Sequence, residues 1–266
     1  MKTEHLSKLL NWFEGKNGVL VALSGGVDSA LVAYAAYARL GKSAIAVTAD
    51  YKTLAQEELE YAKKISSEIG IKHIVIEYNE LDNESFVKND NKRCFYCRSE
   101  LSEHLLEIAK ESDMIVDGTN IDDLGDYRPG VLALRENGIR SPLAESGFSK
   151  KMVREAAKSV GLSVYDKPSN SCLASRIPWG QSVTAERLAR IEIGEKIVKQ
   201  LTGAKQVRVR DMDGIARIEV GADELYLLES DTLLQKIKKQ LKLISFENVS
   251  IDPEGYRPGK INVITN

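Results

Sequence analysis

Ser24-Gly25-Gly26-Val27-Asp28-Ser29 packs two adjacent glycines, two hydroxyls and a carboxylate into six residues. The hexapeptide follows the apolar run Val19-Leu20-Val21-Ala22-Leu23 and opens into a helical stretch from Ala30 to Leu40, which predicts a strand-to-helix turn. Glycines let backbone approach an oxyanion closely, and a helix beginning there aims free N–H groups and its positive dipole end at the same spot. Nucleotide chemistry is the first expectation. The turn lacks the Gly-Lys-Ser/Thr ending of a Walker loop, and with it the lysine that reaches the terminal phosphates. It offers Ser24, Ser29 and Asp28 instead, the last able to hold Mg2+ against a pyrophosphate.

Cysteine is the second chemically informative residue type. Cys94-Phe95-Tyr96-Cys97 puts two thiols within reach of one metal, and Cys172 stands alone far downstream. Three thiols are too few, and odd in number, for a disulfide framework. Structural zinc usually takes four protein ligands, with His104 the candidate fourth, whereas three ligands leave a position open. An iron–sulfur cluster held at three of its four irons keeps one exchangeable site in the same way. A structural zinc and three unrelated buried thiols stand as alternatives.

The elements that must position these groups alternate along the chain. Strands are expected at Ser43 to Thr48, His73 to Glu77 and Met114 to Asp117, with helices from Gln56 to Ile69, Arg98 to Lys110 and Lys151 to Val160, and a short strand from Gly161 to Tyr165. Such alternation predicts a doubly wound parallel sheet, an α/β fold of Rossmann type, with ligands at the carboxyl ends of the strands. The SGGVDS turn, Thr48-Ala49-Asp50 and Asp117-Gly118-Thr119-Asn120 all fall at that edge, making Thr48, Gly118 and Thr119 further candidates for nucleotide contact. Asp122, Asp123 and Asp126 could face the nucleotide or simply be solvated.

The polar loop Asp166 to Cys172, ending at Pro178-Trp179-Gly180, reads as the close of a first domain, 1–180. Residues 181–266 form a smaller α+β domain: a charged helix from Thr184 to about Leu201, a hairpin of Gln206–Met212 and Ile215–Val220 across Asp213-Gly214, a helix Asp223 to Leu243 and a strand near Asn248 to Ile251. Arg208 and Arg210 alternate with Val207 and Val209, so one face of that strand is apolar and the other carries two guanidinium groups, fit either for a phosphate or for solvent.

The string SGGVDS resembles the PP-loop ATP pyrophosphatases. With Arg93-Cys94-Phe95-Tyr96-Cys97, Asp117 to Asp123, Pro168 to Arg176 and Gly255-Tyr256-Arg257-Pro258-Gly259, the resemblance narrows to the LarE family over nearly the whole chain. It implies an ATP-dependent sulfur insertion in nickel-pincer cofactor synthesis: a carboxylate of a pyridinium dicarboxylate mononucleotide is adenylated, pyrophosphate stays in the turn, and sulfur replaces AMP. In the one-cysteine form of the family the residue matching Cys172 gives up its own sulfur and the enzyme is spent. The added Cys94 and Cys97 make this chain similar to the three-cysteine branch, whose thiolates hold a [4Fe–4S] cluster that carries external hydrosulfide. By the same resemblance Arg176, Arg208 and Arg210 bind the substrate phosphate, the sulfur comes from inorganic sulfide or a donor protein, and the protein assembles as a homo-oligomer.

Bulk properties narrow the field. The chain has 266 residues, 43% of them hydrophobic and 29% charged, enough for a sizeable core. A net charge of −2 offers little general attraction to nucleic acid. Leu6, Leu9, Leu10 and Phe13 recur at helical spacing among charges, which is not a leader pattern, and no apolar run is long enough to span a membrane. A cytoplasmic location is expected. The rival enzyme classes are PP-loop tRNA thiolation enzymes, which commonly add zinc modules, and amidating ligases such as NAD synthetase, which leave the three cysteines unexplained. A nucleotide-binding regulator with structural zinc is the non-enzymatic rival.

Overall fold

A computed structural model describes residues 2–110, 113–125 and 128–257. Val19 to Val21 are buried on both sides, as a strand in the middle of a parallel sheet must be. β1 (Gly18–Ala22) lies between β2 (Ala44–Asp50) and β4 (Asp113–Val116), and β3 (Lys72–Glu77) completes a sheet of order β3-β2-β1-β4. All pairings are parallel, with Val19 opposite Ala44 on one side and Met114 on the other.

Alternation along β1 decides which layer covers which face. Val19 and Val21 join a core with α1 (Lys2–Trp12), α2 (Val27–Leu40) and α8 (Lys150–Ser159). Leu20 points the other way, to Leu101 and Leu105 of α5 (Arg93–Ile108) and Leu134 of α6 (Pro129–Glu136). Helices on both faces make the sheet doubly wound, and α3 (Gln56–Ile69) links β2 to β3 with the bounds expected from its pattern. No described helix is long and apolar enough to cross a membrane.

Residues 1–80 and 92–170 make up this unit; residues 81–91 and 171–266 make up the second. The boundary therefore falls ten residues before the expected 180, and a short segment containing α4 (Glu84–Val87) belongs with the C-terminal unit. Asn89 explains the attachment: it is fully buried and its amide donates to the carbonyls of Pro178 and Gln181 at 2.8 and 2.7 Å. Backbone bonds from Gly180 to Asn89 and from Val183 to Val87 add to it.

In the second unit, β5 (Val207–Met212) and β6 (Ile215–Val220) form the expected hairpin, and β7 (Asn248–Ile251) pairs parallel to β6. α9 (Ala185–Thr202), capped by the Thr184 hydroxyl, and α10 (Asp231–Leu243) pack over this sheet.

Two expected elements differ. Gly161 to Tyr165 is a turn, not a strand: Leu162 and Val164 are buried in the first core, while backbone bonds from Tyr165 to Leu162 and from Lys167 to Val164 curl the chain locally. The expected helix Asp223–Leu243 is a 3-10 segment, Ala222–Leu228, followed by α10, because the Ser230 hydroxyl accepts the N–H of Leu233 and starts a new helix.

Candidate active site

In the first unit, the SGGVDS turn joins β1 to α2, and the helix starts earlier than its apolar spacing suggests, so Asp28 and Ser29 lie in its first turn. Gly26 is the N-cap residue and no side chain caps the helix. Ser29 Oγ accepts from the Ser24 backbone N at 3.1 Å, donates to the Gly26 carbonyl at 3.2 Å and meets Ser24 Oγ at 3.1 Å. Ser29 thus shapes the turn from within, while Ser24 is exposed at its mouth.

Two glycines are there because nothing larger fits. A Cβ on Gly25, whose φ is +76°, would lie 2.4 Å from the Glu58 carbonyl of α3. One on Gly118 would lie 2.7 Å from the Ser29 amide nitrogen, so the segment after β4 abuts the turn directly.

Asp28 is held at both oxygens: Asn120 Nδ2 donates to Oδ1 at 3.1 Å and Lys150 Nζ pairs with Oδ2. On the α3 side, Lys167 Nζ donates to the Gly25 carbonyl at 3.0 Å and to Glu58 at 2.6 Å, and lies 3.8 Å from the Tyr61 ring centre. Asn170 Nδ2 donates to the other Glu58 oxygen at 2.8 Å. Asn120 belongs to the Asp117–Asn120 cluster expected at this edge, whereas Lys150, Lys167, Asn170 and Glu58 are neighbours of the turn that motif reasoning missed, since each sits far from it in sequence. For Lys167 and Asn170 the Asp-Lys-Pro-Ser-Asn string held a hint.

Other candidates are committed to structure. Thr48 is buried; its hydroxyl donates to the Leu23 carbonyl at 2.7 Å and so accepts from His73 Nε2, also at 2.7 Å. Thr48 therefore ties β1, β2 and β3 together rather than facing the edge. Thr119 donates through its N–H, at 3.1 Å, and its hydroxyl to Asp117, whose carboxyl is pushed up by burial against the pull of those bonds and of Ser141. Asp123 accepts from the Asn120 N–H and pairs with Arg128 at 2.6 Å, a local cap, and Asp122 accepts from the Lys150 N–H at 2.8 Å, a tether to the start of α8. Asp126 lies outside the described residues, as do Pro258 and Gly259.

Burial, then Lys63, lowers the pKa of His73, so the neutral imidazole is the form the fold accommodates. The unfolded chain binds that proton more readily, and the associated stability is present above about pH 6.5 and is lost as the pH falls below it. Chemical denaturation midpoints should therefore drop more steeply from pH 6.5 to 5 in the wild type than in a His73→Asn variant. Parallel slopes would remove His73 from the account.

α5 begins five residues before its expected start, and so carries both thiols of Cys94-Phe95-Tyr96-Cys97 on one face, one turn apart. Cys94 is exposed and Cys97 buried. α6 packs tightly there: a Cβ on Gly130 would come within 3.3 Å of the Cys94 carbonyl. His104 does not join these thiols. It lies two turns, about 10 Å, beyond Cys97, its ring stacks on Tyr78 at 4.4 Å and its Nδ1 is 3.5 Å from Glu107. Among the described residues no group of three or more His, Cys, Asp and Glu side chains is gathered as a metal site.

In the second unit, Cys172 is partly exposed and precedes the 3-10 turn Leu173–Arg176. Arg176 is fully buried. Its Nε and Nη2 pair with the two Glu195 oxygens at 2.8 and 3.1 Å, and Nη1 donates to the carbonyls of Ser171 and Cys172 at 2.5 and 2.9 Å. Burial alone would lower the Arg176 pKa, but Glu195 more than offsets it and the pKa is raised. Arg176 thus holds the cysteine-bearing turn from beneath rather than reaching outward.

Arg208 and Arg210 are both buried, not displayed on an open outer face. Arg210 donates through Nε and Nη2 to the same Glu219 oxygen, Oε2, at 3.0 and 2.7 Å, and through Nη1 to the Ser175 carbonyl. Arg208 stacks over Tyr256 at 5.0 Å, and burial followed by repulsion from Arg176 pushes its pKa down to about 10. The strand alternation was right, but both faces are covered.

A parallel α/β sheet whose central strand feeds a Gly-Gly turn with two serines and an aspartate defines a PP-loop ATP pyrophosphatase-type protein, and residues 18–99 match the model of the queuosine biosynthesis protein QueC family. The chain is 41% identical over 98% of its length to the uncharacterized protein slr1717 of Synechocystis sp., covering 98% of that protein. It is 33% identical over 92% of its length to the pyridinium-3,5-bisthiocarboxylic acid mononucleotide synthase of Lactiplantibacillus plantarum, covering 88% of it. The uncharacterized protein MJ0830 of Methanocaldococcus jannaschii is 30% identical over 90% of each chain. This chain belongs to the LarE family.

Proposed function

We propose that the protein is an ATP-dependent sulfurtransferase that converts a carboxylate of a pyridinium dicarboxylate mononucleotide into a thiocarboxylate. The observation that carries this reading is the Ser24–Ser29 cradle at the head of α2, in a chain aligned over 92% of its length with a pyridinium-3,5-bisthiocarboxylic acid mononucleotide synthase. The turn and the helix N-terminus bind the polyphosphate of ATP, and Asp28 is the carboxylate for Mg2+. A substrate carboxylate oxygen attacks the α-phosphorus and the bond to the β-phosphate oxygen breaks, leaving pyrophosphate in the turn. Sulfide then adds to the acyl carbon, the carbon–oxygen bond to AMP breaks, and the proton of hydrosulfide passes to solvent. Adenylation is needed because oxide is a poor leaving group and AMP a good one.

Arg208 is the residue we assign to the substrate phosphate, since a guanidinium depressed by burial and by Arg176 gains most from an arriving anion. Arg210, engaged by Glu219 and the Ser175 carbonyl, positions that strand. Cys94, Cys97 and Cys172 are the three thiols of the chain, and thiolates are the donors that would hold a [4Fe–4S] cluster. When bound, such a cluster supplies an iron free of protein ligands at which external hydrosulfide is carried, so that no cysteine need be consumed.

Anaerobic purification with iron and sulfide analysis tests the thiol assignment. Wild type should hold both, and Cys97→Ala should lose them. Equal iron in the two proteins, or zinc in place of iron, would overturn it. Pyrophosphate release dependent on a pyridinium dicarboxylate mononucleotide tests the reaction, and release dependent on tRNA instead would move the chain to the thiolation class.

A further inference from the structure

Arg208 and Arg210 stand two positions apart on β5, opposite Glu219 and Arg217 of β6, while Val207 and Val209 turn into the core on the other face. The chain returns to this part of the sheet after β7. Asp252 donates its N–H to the Ile218 carbonyl at 2.9 Å and Tyr256 donates its own to the Val220 carbonyl at 2.8 Å, so the segment between them leaves β6 and rejoins it at its end. Gly255 makes that return possible: its φ is +70°, and a Cβ there would lie 2.8 Å from the Val220 carbonyl oxygen. The half-buried Tyr256 is thereby pinned, with its ring centre 5.0 Å from the Arg208 guanidinium and 5.9 Å from that of Arg210.

We propose that Tyr256 is a positioning residue for the substrate phosphate, its ring being the platform that holds the Arg208 guanidinium in the orientation in which it meets that anion. The proposal rests on the reading of Arg208 as the phosphate ligand, and it gives Gly255 and Tyr256 a task which that reading leaves out. Arginine carries a planar fork on a long stem, and the fork recognises a phosphate through paired donors only where its plane is fixed. Burial, then the charges of Arg176 and Arg210, act against a cation at Arg208, with Glu195 pulling the other way. The face of an aromatic ring attracts a cation without bringing a charge of its own. A carboxylate in the same place, such as Glu219 beside Arg210, would have to be displaced from the donors that an arriving phosphate needs. The ring steadies Arg208 and leaves the anion's place open.

Calorimetric titration of the full chain with a pyridinium dicarboxylate mononucleotide, and with the nucleoside that lacks its phosphate, tests the proposal. Tyr256→Leu should weaken the mononucleotide about tenfold, as loss of a desolvated cation–ring contact does, and leave the nucleoside within about twofold. Tyr256→Phe, which keeps the ring, should match wild type with both. Because Tyr256 acts through Arg208, adding Tyr256→Leu to Arg208→Met should cost nothing further. Unchanged mononucleotide affinity in Tyr256→Leu, a loss that falls equally on the nucleoside, or a loss that persists in full on the Arg208→Met background would each overturn the proposal. Arg208→Met that binds the mononucleotide as tightly as wild type would instead remove Arg208 from the phosphate, and with it the reading on which the proposal stands. Circular dichroism of each variant confirms that the comparison is between folded proteins.

Discussion

Arg176→Met should destabilise the second unit by about 3–5 kcal/mol, the usual result of removing one partner of a buried ion pair and stranding the other. Glu195 would be left buried with the Val209 N–H and the more distant charge of Arg208, and the carbonyls of Ser171 and Cys172 would lose their shared donor. One tryptophan lies in each unit, Trp12 in the first and Trp179 in the second, so a Trp12→Phe background lets urea unfolding of the second unit be followed by fluorescence. Adding Glu195→Gln to Arg176→Met should restore a large part of the loss, since the stranded charge is then gone. A single-variant loss below about 1 kcal/mol, the range of exposed pairs, would show that the pair does not hold the cysteine turn.

Gly25→Ala should cost ATP affinity on the order of 100-fold, while Gly26→Ala should change it by less than about threefold. At Gly25 a side chain meets a left-handed backbone, worth about 1–2 kcal/mol, and a backbone oxygen of α3 that has no freedom to swing aside. At Gly26 φ is −89° and the nearest atom is the exposed Ser24 hydroxyl at 3.5 Å, which can rotate. Calorimetric titration with a non-hydrolysable ATP analogue measures both. Equal losses in the two variants would show that the turn tolerates a Cβ no better at one glycine than the other, and that its approach to α3 is not what shapes it.

What could be read from the chain divides by range. The turn between β1 and α2, the bounds of α3 and the β5–β6 hairpin follow from local spacing and turn residues, and they stand where the pattern puts them. The roles of Thr48, Arg176 and Arg210 do not, because a hydroxyl or guanidinium is the same symbol whether it faces a ligand or a buried acceptor. Only the partners decide: Leu23 and His73 for Thr48, Glu195 for Arg176, Glu219 for Arg210. Lys150 and Glu58 escaped notice for the converse reason, since charged residues on helical segments look like solvated surface until the fold brings them to the cradle, and Lys167 did so because a charged residue in a polar loop looks the same. The strand expected at Gly161–Tyr165 failed because alternating apolar residues can peg a turn into a core as well as line a sheet.

Asn89 gives the C-terminal unit an ancestry problem of its own. A polypeptide excised as 171–266 would be born without the strap that satisfies the carbonyls of Pro178 and Gln181, so the unit is not a cassette that can be cut at one place and grafted elsewhere. Shuffling it between proteins would require carrying residues 81–91 along, and during synthesis that strap leaves the ribosome long before the segment it serves. The two units are thereby bound to be inherited, and to mature, together.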